Sequence, residues 1–151
     1  MSLNLNPVVT HFPQTHYVFI EAIGPFQNTA QKAWQDLRSE LDKLQGVNLN
    51  GFMSLYKIKP EMVYRAGVVV DKKPENLPDG FSYCLFEGGK YDKFVLTGSY
   101  SQLPEACGKV FDKVKEMNVD VRQGFYIENY VNDPKTTPEE KLVTEIMIPV
   151  N

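Results

Sequence analysis

Apolar residues in the first half of the chain follow two different periods. Three segments are rich in β-branched and aromatic residues and are bounded by Gly, Pro or charged turns, which predicts β-strands. These segments are residues 16–26, 51–58 and 63–71. Residues 28–46 instead carry an apolar residue at every third or fourth position, which predicts an amphipathic helix. We expect Asn28 or Thr29 to cap the start of this helix and Gly46 to end it.

The second half of the chain repeats this order of strand, helix, strand and strand. The predicted elements are a strand at 90–100, a helix at 101–118, and strands at 124–131 and 142–150. Ser101 is the expected cap of the second helix. Residues 71–80, which are rich in Pro, Lys and Asp, predict a linker between the halves.

An offset of 74 residues, as from Tyr17 to Tyr91, keeps the two halves in one register. The matched pairs include Phe12 and Phe86, Gly24 and Gly98, Leu37 and Phe111, and Tyr56 and Tyr130. The sequence therefore predicts an α+β fold: a tandem (βαββ)2 pseudo-twofold repeat with antiparallel sheets, two main helices and a central ligand cleft. We expect one domain over 1–151, with half-repeats at about 8–72 and 82–150.

Composition and charge exclude several classes of protein. The 151 residues are 42% hydrophobic, and no apolar run approaches the about eighteen residues that span a bilayer, so we expect no membrane association. A net charge of −3 without a Lys/Arg-rich block disfavours direct nucleic-acid binding. Cys84 and Cys107 lack C-x-x-C spacing and a nearby His cluster, so we expect no metal, no cofactor and a reducing, cytoplasmic location.

The candidate chemistry lies in the predicted strand at 124–131. Side chains alternate along a strand, so Tyr126, Glu128 and Tyr130 should share one face, whereas Ser54 stands at the position of Glu128 in the first half. Burying an unpaired carboxylate is costly unless the group is protonated, paired or visited by a cation. Aromatic rings also attract cations, so the pattern predicts a site for a cationic ligand.

Simpler interpretations remain open for each of these residues. Glu128 is also compatible with a solvent-facing position, or with an ion pair to Arg122, Arg65 or a lysine. Tyr126 and Tyr130 are also ordinary strand residues. Trp34 lies on the apolar stripe of the first helix, where it either packs in the core or lines a pocket, and little in the sequence around Tyr64 fixes its role.

Three motifs carry a resemblance to a known family. They are Gly-Gly-Lys-Tyr at 88–91, Glu-x-Tyr-x-x-Asp-Pro at 128–134 and Thr-Glu-Ile-x-Ile-Pro-Val at 144–150. Together they resemble the gyrase-inhibitory-protein-like (GyrI-like) small-molecule-binding family. That family includes the effector-binding domains of AraC-type and multidrug-responsive MerR-type transcription activators.

The resemblance implies a tandem βαββ fold in which an acidic residue at the position of Glu128 neutralises cationic, often aromatic, drugs. It also implies aromatic residues around the ligand, for which Tyr130, Trp34, Tyr64 and Tyr126 are the candidates in that order. The chain has no room for the DNA-binding helices of the activators, so we expect it not to drive transcription alone.

Three functions are compatible with these features of the sequence. The first is a standalone protein that binds amphipathic, cationic aromatic molecules. The second is a hydrolase of strained electrophilic molecules such as cyclopropanoid natural products, with Glu128 as general base and a tyrosine hydroxyl assisting. The third is a protein partner that inhibits DNA gyrase, as the family's namesake does. No Ser-His-Asp, Cys-His or metal arrangement is visible, so we expect a binding protein rather than an enzyme and assign no catalytic residue.

Overall fold

The computed structural model describes all 151 residues and divides them into two compact units. Unit 1 contains residues 1–12 and 89–151, and unit 2 contains residues 13–88. The strands are β1 Ser2–Phe12, β2 Thr15–Ile23, β3 Leu49–Lys57, β4 Val63–Val70, β5 Ser82–Phe86, β6 Gly89–Thr97, β7 Tyr126–Tyr130 and β8 Val143–Pro149. The helices are α1 Phe26–Glu40 and α2 Leu103–Glu116, with short 3-10 helices at Leu41–Lys43, Tyr100–Gln102 and Glu139–Lys141. Neither α-helix is long and apolar enough to cross a membrane.

Unit 2 is an antiparallel sheet in the order β3-β4-β2-β5 with helix α1 packed against β2 and β4. Helix α1 buries Ala33 and Leu37 on the stripe that the sequence predicts. The Tyr17 hydroxyl crosses the sheet and donates hydrogen bonds to the Met53 and Arg65 carbonyls. A Cβ atom at Gly67 would lie 2.5 Å from the Tyr17 ring, so this close approach requires a glycine.

Unit 1 is an antiparallel sheet in the order β1-β6-β8-β7 with helix α2 on one face. The core between this helix and the sheet contains apolar side chains from α2, β6 and β8. Its fully or nearly fully buried members are Phe94, Leu96, Ala106, Val110, Val114, Ile146 and Ile148. The α+β class, the antiparallel pairing and the two main helices predicted from the sequence are therefore confirmed.

Each unit also has an edge strand that comes from the other half of the sequence. Strand β1 pairs with β6, and β5 pairs with β2, and neither strand was predicted. The alternation of side chains along residues 2–12 is interrupted around Pro7, because the pairing of β1 with β6 shifts register between Asn4 and Val8. Ser2 pairs with Thr97, so partners far along the chain decide that these residues form a strand.

The predicted helix caps are wrong. Helix α1 begins at Phe26 after Pro25, and the Thr29 hydroxyl donates to the Pro25 carbonyl from within the first turn. In unit 1 a 3-10 turn precedes α2. The capping side chain there is Ser99, not Ser101, and it accepts a hydrogen bond from the backbone N–H of Ser101. Helix α1 therefore starts earlier than the predicted caps, after a Gly-Pro turn, whereas α2 starts later than Ser101, after the 3-10 helix Tyr100–Gln102.

Candidate functional site

Strand β7 presents Tyr126, Glu128 and Tyr130 on the face that packs against helix α2. The Tyr126 ring meets the ring of Phe111 in α2 edge to face, with centroids 5.7 Å apart. Ile127 lies between these positions in the chain and is fully buried. The alternation along the strand places the three side chains together as the sequence indicates.

Two neutral donors hold the Glu128 carboxylate. The Tyr130 hydroxyl donates to Oε1 at 2.9 Å, and the Cys107 thiol of α2 donates to Oε2 at 3.3 Å. Glu128 is half-buried. Burial raises the pKa of the Glu128 carboxyl above its ordinary value, and the hydrogen bonds from Tyr130 and Cys107 oppose that shift because they stabilise the ionised form.

No basic side chain neutralises this carboxylate. None of the salt bridges, which require a nitrogen within 4.0 Å, includes Glu128. Arg65 pairs instead with Glu21 at 2.8 Å. Arg122 donates to the Val150 and Lys90 carbonyls and lies 5.2 Å from the centre of the Tyr91 ring. The ion pair of Glu128 with Arg65, Arg122 or a lysine, which the sequence left open, is therefore not formed.

Aromatic side chains lie near Glu128 on the unit 1 surface. The Tyr130 ring contacts Tyr100 with centroids 5.4 Å apart and an interplanar angle of 61°. Tyr130, Tyr126 and Tyr100 are all half-buried, so parts of their rings are accessible. A carboxylate beside partly exposed aromatic rings has the charge and the apolar faces that an aromatic cation needs.

Unit 2 brings Trp34 and Tyr64 together in a cluster of its own. The Trp34 indole Nε1 donates to the Tyr64 hydroxyl at 2.9 Å, and that hydroxyl also shares a hydrogen bond of 2.6 Å with Ser54 Oγ. Tyr64 is 6% exposed and Trp34 is half-buried. The cluster contains no carboxylate, because Ser54 stands where unit 1 has Glu128.

Two surface depressions lie away from the predicted residues. A depression of about 310 Å³ in unit 1 is lined in part by Ser99, Gln102 and Glu139. A second of about 580 Å³ in unit 2 is lined in part by Lys43 and Lys72. Neither depression includes Glu128 or the four aromatic candidates. The Glu128 site is therefore distinguished by its carboxylate and aromatic side chains and not by a deep cavity. No group of three or more His, Cys, Asp or Glu side chains is placed to hold a metal ion.

Sequence reasoning missed Cys107 as a residue of this site, where its thiol donates to Glu128. Cys107 was considered only as a disulfide or metal residue, and a signal for it lay in the repeat. The buried residues of α2 are Ala106, Val110 and Val114, so the alignment of Leu37 with Phe111 does not match buried positions, and a shift of one residue matches Leu37 with Val110. With that correction Cys107 stands at the position of Trp34, which already was a candidate.

Known proteins with this architecture define its class. The sequence profile of the GyrI-like small molecule binding domain matches residues 5–151, and the chain belongs to that family. No curated protein matches the sequence significantly.

Solved structures of similar fold are distant in sequence. The EcmrR C-terminal domain superposes with a TM-score of 0.81 at 17% identity, covering 100% of this chain and 99% of that one. The chain spans only 57% of the EcmrR protein in its DNA complex, where the TM-score is 0.78, the identity is 17% and 97% of this chain is covered. SAV2435, solved with tetraphenylphosphonium, has a TM-score of 0.76 at 19% identity, covering 97% of this chain and 94% of that one. A hydrolase from Listeria innocua has a TM-score of 0.57 at 14% identity, covering 96% and 91% respectively.

Proposed function

We propose that this protein binds amphipathic aromatic cations and that Glu128 is the counter-ion of the ligand. The observation that carries the proposal is the half-buried Glu128 carboxylate, held by Tyr130 and Cys107 with no cation within 4.0 Å. A carboxylate withdrawn from water without an opposite charge is unfavourable, so a visiting cation recovers energy that the protein itself does not.

The hydrogen-bonding geometry leaves room for that cation. A carboxylate offers about four lone-pair sites, and Tyr130 and Cys107 occupy one on each oxygen. Each aromatic face that contacts the cation adds about 0.5 to 2 kcal/mol, depending on how fully the pair is desolvated. Tyr130 and Tyr126 supply such faces in unit 1. Trp34 and Tyr64 stay predicted contacts, and the low exposure of Tyr64 makes it a support for Trp34 more than a contact surface.

Relatives of similar fold support the proposal without fixing the ligand. SAV2435 was solved with tetraphenylphosphonium, which is a cation built of aromatic rings. EcmrR carries its similar domain in a protein that was solved on DNA. A role in transcription through a partner, inhibition of DNA gyrase and a cytoplasmic location all stay predictions for this chain.

The test compares a cation with its neutral isostere. N,N,N-Trimethyltryptammonium and 3-(3,3-dimethylbutyl)indole have nearly the same shape but differ in charge. Calorimetric titration should show that Glu128→Gln lowers the affinity for the cation by at least about tenfold and the affinity for the neutral compound by less than about twofold. Equal loss for both ligands would indicate general damage to the site and would contradict a counter-ion role.

A hydrolase is the second candidate, because a structure of similar fold is described as one and because Glu128 lies 2.9 Å from a tyrosine hydroxyl. In that case a water oxygen would attack a ring carbon as Glu128 takes its proton, and the strained ring bond would break. The electron pair of that bond would pass to the electron-accepting part of the substrate, which Glu128 then protonates, while Tyr130 orients the carboxylate. Time-dependent loss of a cyclopropanoid substrate that disappears in Glu128→Gln would establish this activity. An unchanged substrate after prolonged incubation with bound wild-type protein would exclude it.

A further inference from the structure

Thr144 carries a buried polar atom that no side chain or backbone group satisfies. The residue lies in strand β8 with 0% exposure, and its Oγ1 atom has no hydrogen-bond partner. Thr144 stands directly opposite Tyr130 in the β7–β8 ladder, so the two side chains share the face that holds Glu128. Buried hydroxyls are nearly always hydrogen-bonded in native proteins, so an orphan beside a binding site indicates a partner supplied from outside.

The repeat identifies what that partner is in the other unit. Tyr64 stands opposite Tyr56 and Ala22 in unit 2, as Thr144 stands opposite Tyr130 and Leu96 in unit 1. Tyr64 is therefore the counterpart of Thr144. Its hydroxyl receives the N–H of Trp34 at 2.9 Å.

Unit 1 lacks this donor. Trp34 directly follows the buried Ala33 in α1, and Cys107 directly follows the buried Ala106 in α2. The two residues are counterparts, and the small thiol of Cys107 donates to Glu128. Unit 1 thus has a small side chain in place of a bulky N–H donor, a buried hydroxyl without a hydrogen-bond partner, and a carboxylate without a cation.

A protonated amine meets both needs at once. We propose that the Glu128 site selects aromatic cations that carry at least two N–H groups, of which one donates to Glu128 and another to Thr144, over cations without an N–H. This inference rests on the proposed function and deepens it, because it names Thr144 as the residue that determines specificity. Thr144 is fully buried and stands opposite the half-buried Tyr130, so the inference includes a shift of the Tyr130 side chain that opens Thr144 to the ligand.

The test uses tryptamine, which is protonated at neutral pH, against N,N,N-trimethyltryptammonium. Wild-type protein should bind tryptamine more tightly, although the trimethyl compound has the larger apolar surface. Thr144→Val removes the hydroxyl and keeps the shape of the side chain. It should lower the affinity for tryptamine by about tenfold and change the affinity for the trimethyl compound by less than about twofold. Thr144→Ser keeps the hydroxyl and should preserve the preference for tryptamine.

The outcomes separate this inference from the function on which it rests. If Thr144→Val changes the affinity for neither cation, or lowers both affinities equally, the inference is overturned. The counter-ion role still holds in that case if Glu128→Gln loses affinity for both cations. If Glu128→Gln also binds both cations normally, both proposals fail. The melting temperature gives a further readout, since losing an unsatisfied buried hydroxyl should leave Thr144→Val at least as stable as wild type.

Cys107→Trp tests the same inference from the other side. It places in unit 1 the N–H donor and the bulk that Trp34 provides in unit 2, so it should abolish tryptamine binding. Tryptamine bound by a folded Cys107→Trp variant as tightly as by wild type would overturn the inference.

Discussion

Glu128 is a single carboxylate that the protein keeps in an environment that does not favour its charge. Burial raises the pKa of Glu128, and only the neutral donors Tyr130 and Cys107 counteract this. Alternation along β7 was enough to predict that Glu128 and its tyrosine neighbours share a face. The contact with Cys107 was missed, because the 74-residue offset aligns the two helices one residue out of step and does not match Cys107 with Trp34.

Cation binding should depend on pH through this carboxyl. The cation binds the ionised form, so affinity is present above the pKa of Glu128 and lost as the pH falls through it. Because that pKa is raised, the loss should begin above the about 4.3 of an ordinary glutamate. Tyr130→Phe removes a hydrogen bond that lowers the pKa and should move the midpoint to higher pH. Dissociation constants measured from about pH 4 to 8 on both proteins check this, and coincident curves would contradict it.

Glu128 should also cost the protein stability at neutral pH when no cation is bound. The pKa is raised in the folded state, so the stability of wild type falls as the pH rises through the unfolded value and levels off above the folded value. Glu128→Gln has no such loss. Its melting temperature relative to wild type should therefore rise between about pH 4 and pH 7. A difference that stays constant over this range would show that Glu128 does not titrate abnormally.

The spacing of hydrophobic residues predicted the helices and strands that pack in the cores. It did not predict the strands whose pairing partners lie far along the chain. The strands β2, β3, β4, β6 and β8 are buried on at least one face, so their composition reveals them. The edge strands β1 and β5 gain their structure from pairing with residues far along the chain. The helix caps were misplaced because the turns before the helices, and not the first polar side chain, set their starts.

The unit 2 sheet should not tolerate a side chain at Gly67. A Cβ there would lie 2.5 Å from the Tyr17 ring, which is fully buried and hydrogen-bonded through its hydroxyl. Gly67→Ala should therefore destabilise the protein by about 1–3 kcal/mol through overpacking. Denaturant unfolding measures this. Gly51→Ala in β3 is the matched control, because its Cβ would meet nothing within 4 Å, and an equal loss in both variants would refute the packing argument.

The molecule as a whole consists of two βαββ units whose edge strands are exchanged between the halves of the sequence. The repeat predicted the two units' main elements but placed residues 8–12 with the first half, whereas they belong to unit 1. Only one unit carries the carboxylate. The other has Ser54, Tyr64 and Trp34, whose polar atoms already satisfy one another. The chain thus contains one cluster whose polar atoms bond to one another and a second, equivalent cluster that includes the Glu128 carboxylate.

Removing residues 1–12 should loosen unit 1 selectively. Leu3 and Leu5 of β1 pack against the core formed with α2, so their loss should cost about 2–4 kcal/mol. Hydrogen exchange should then show reduced protection in β6 and unchanged protection in β2 and β4 of unit 2. Val8→Thr serves as the control, because Val8 is 60% exposed and its replacement should change neither unit. Uniform loss of protection across both units would contradict this division.

The decisive experiment for the counter-ion role is the titration of wild type and Glu128→Gln with N,N,N-trimethyltryptammonium and its neutral isostere 3-(3,3-dimethylbutyl)indole. If Glu128 is the counter-ion of an aromatic cation, the substitution should lower the affinity for the cation by at least about tenfold and leave the affinity for the neutral compound nearly unchanged. If both compounds bind Glu128→Gln as tightly as they bind wild type, Glu128 is not a ligand counter-ion and the proposed function is wrong.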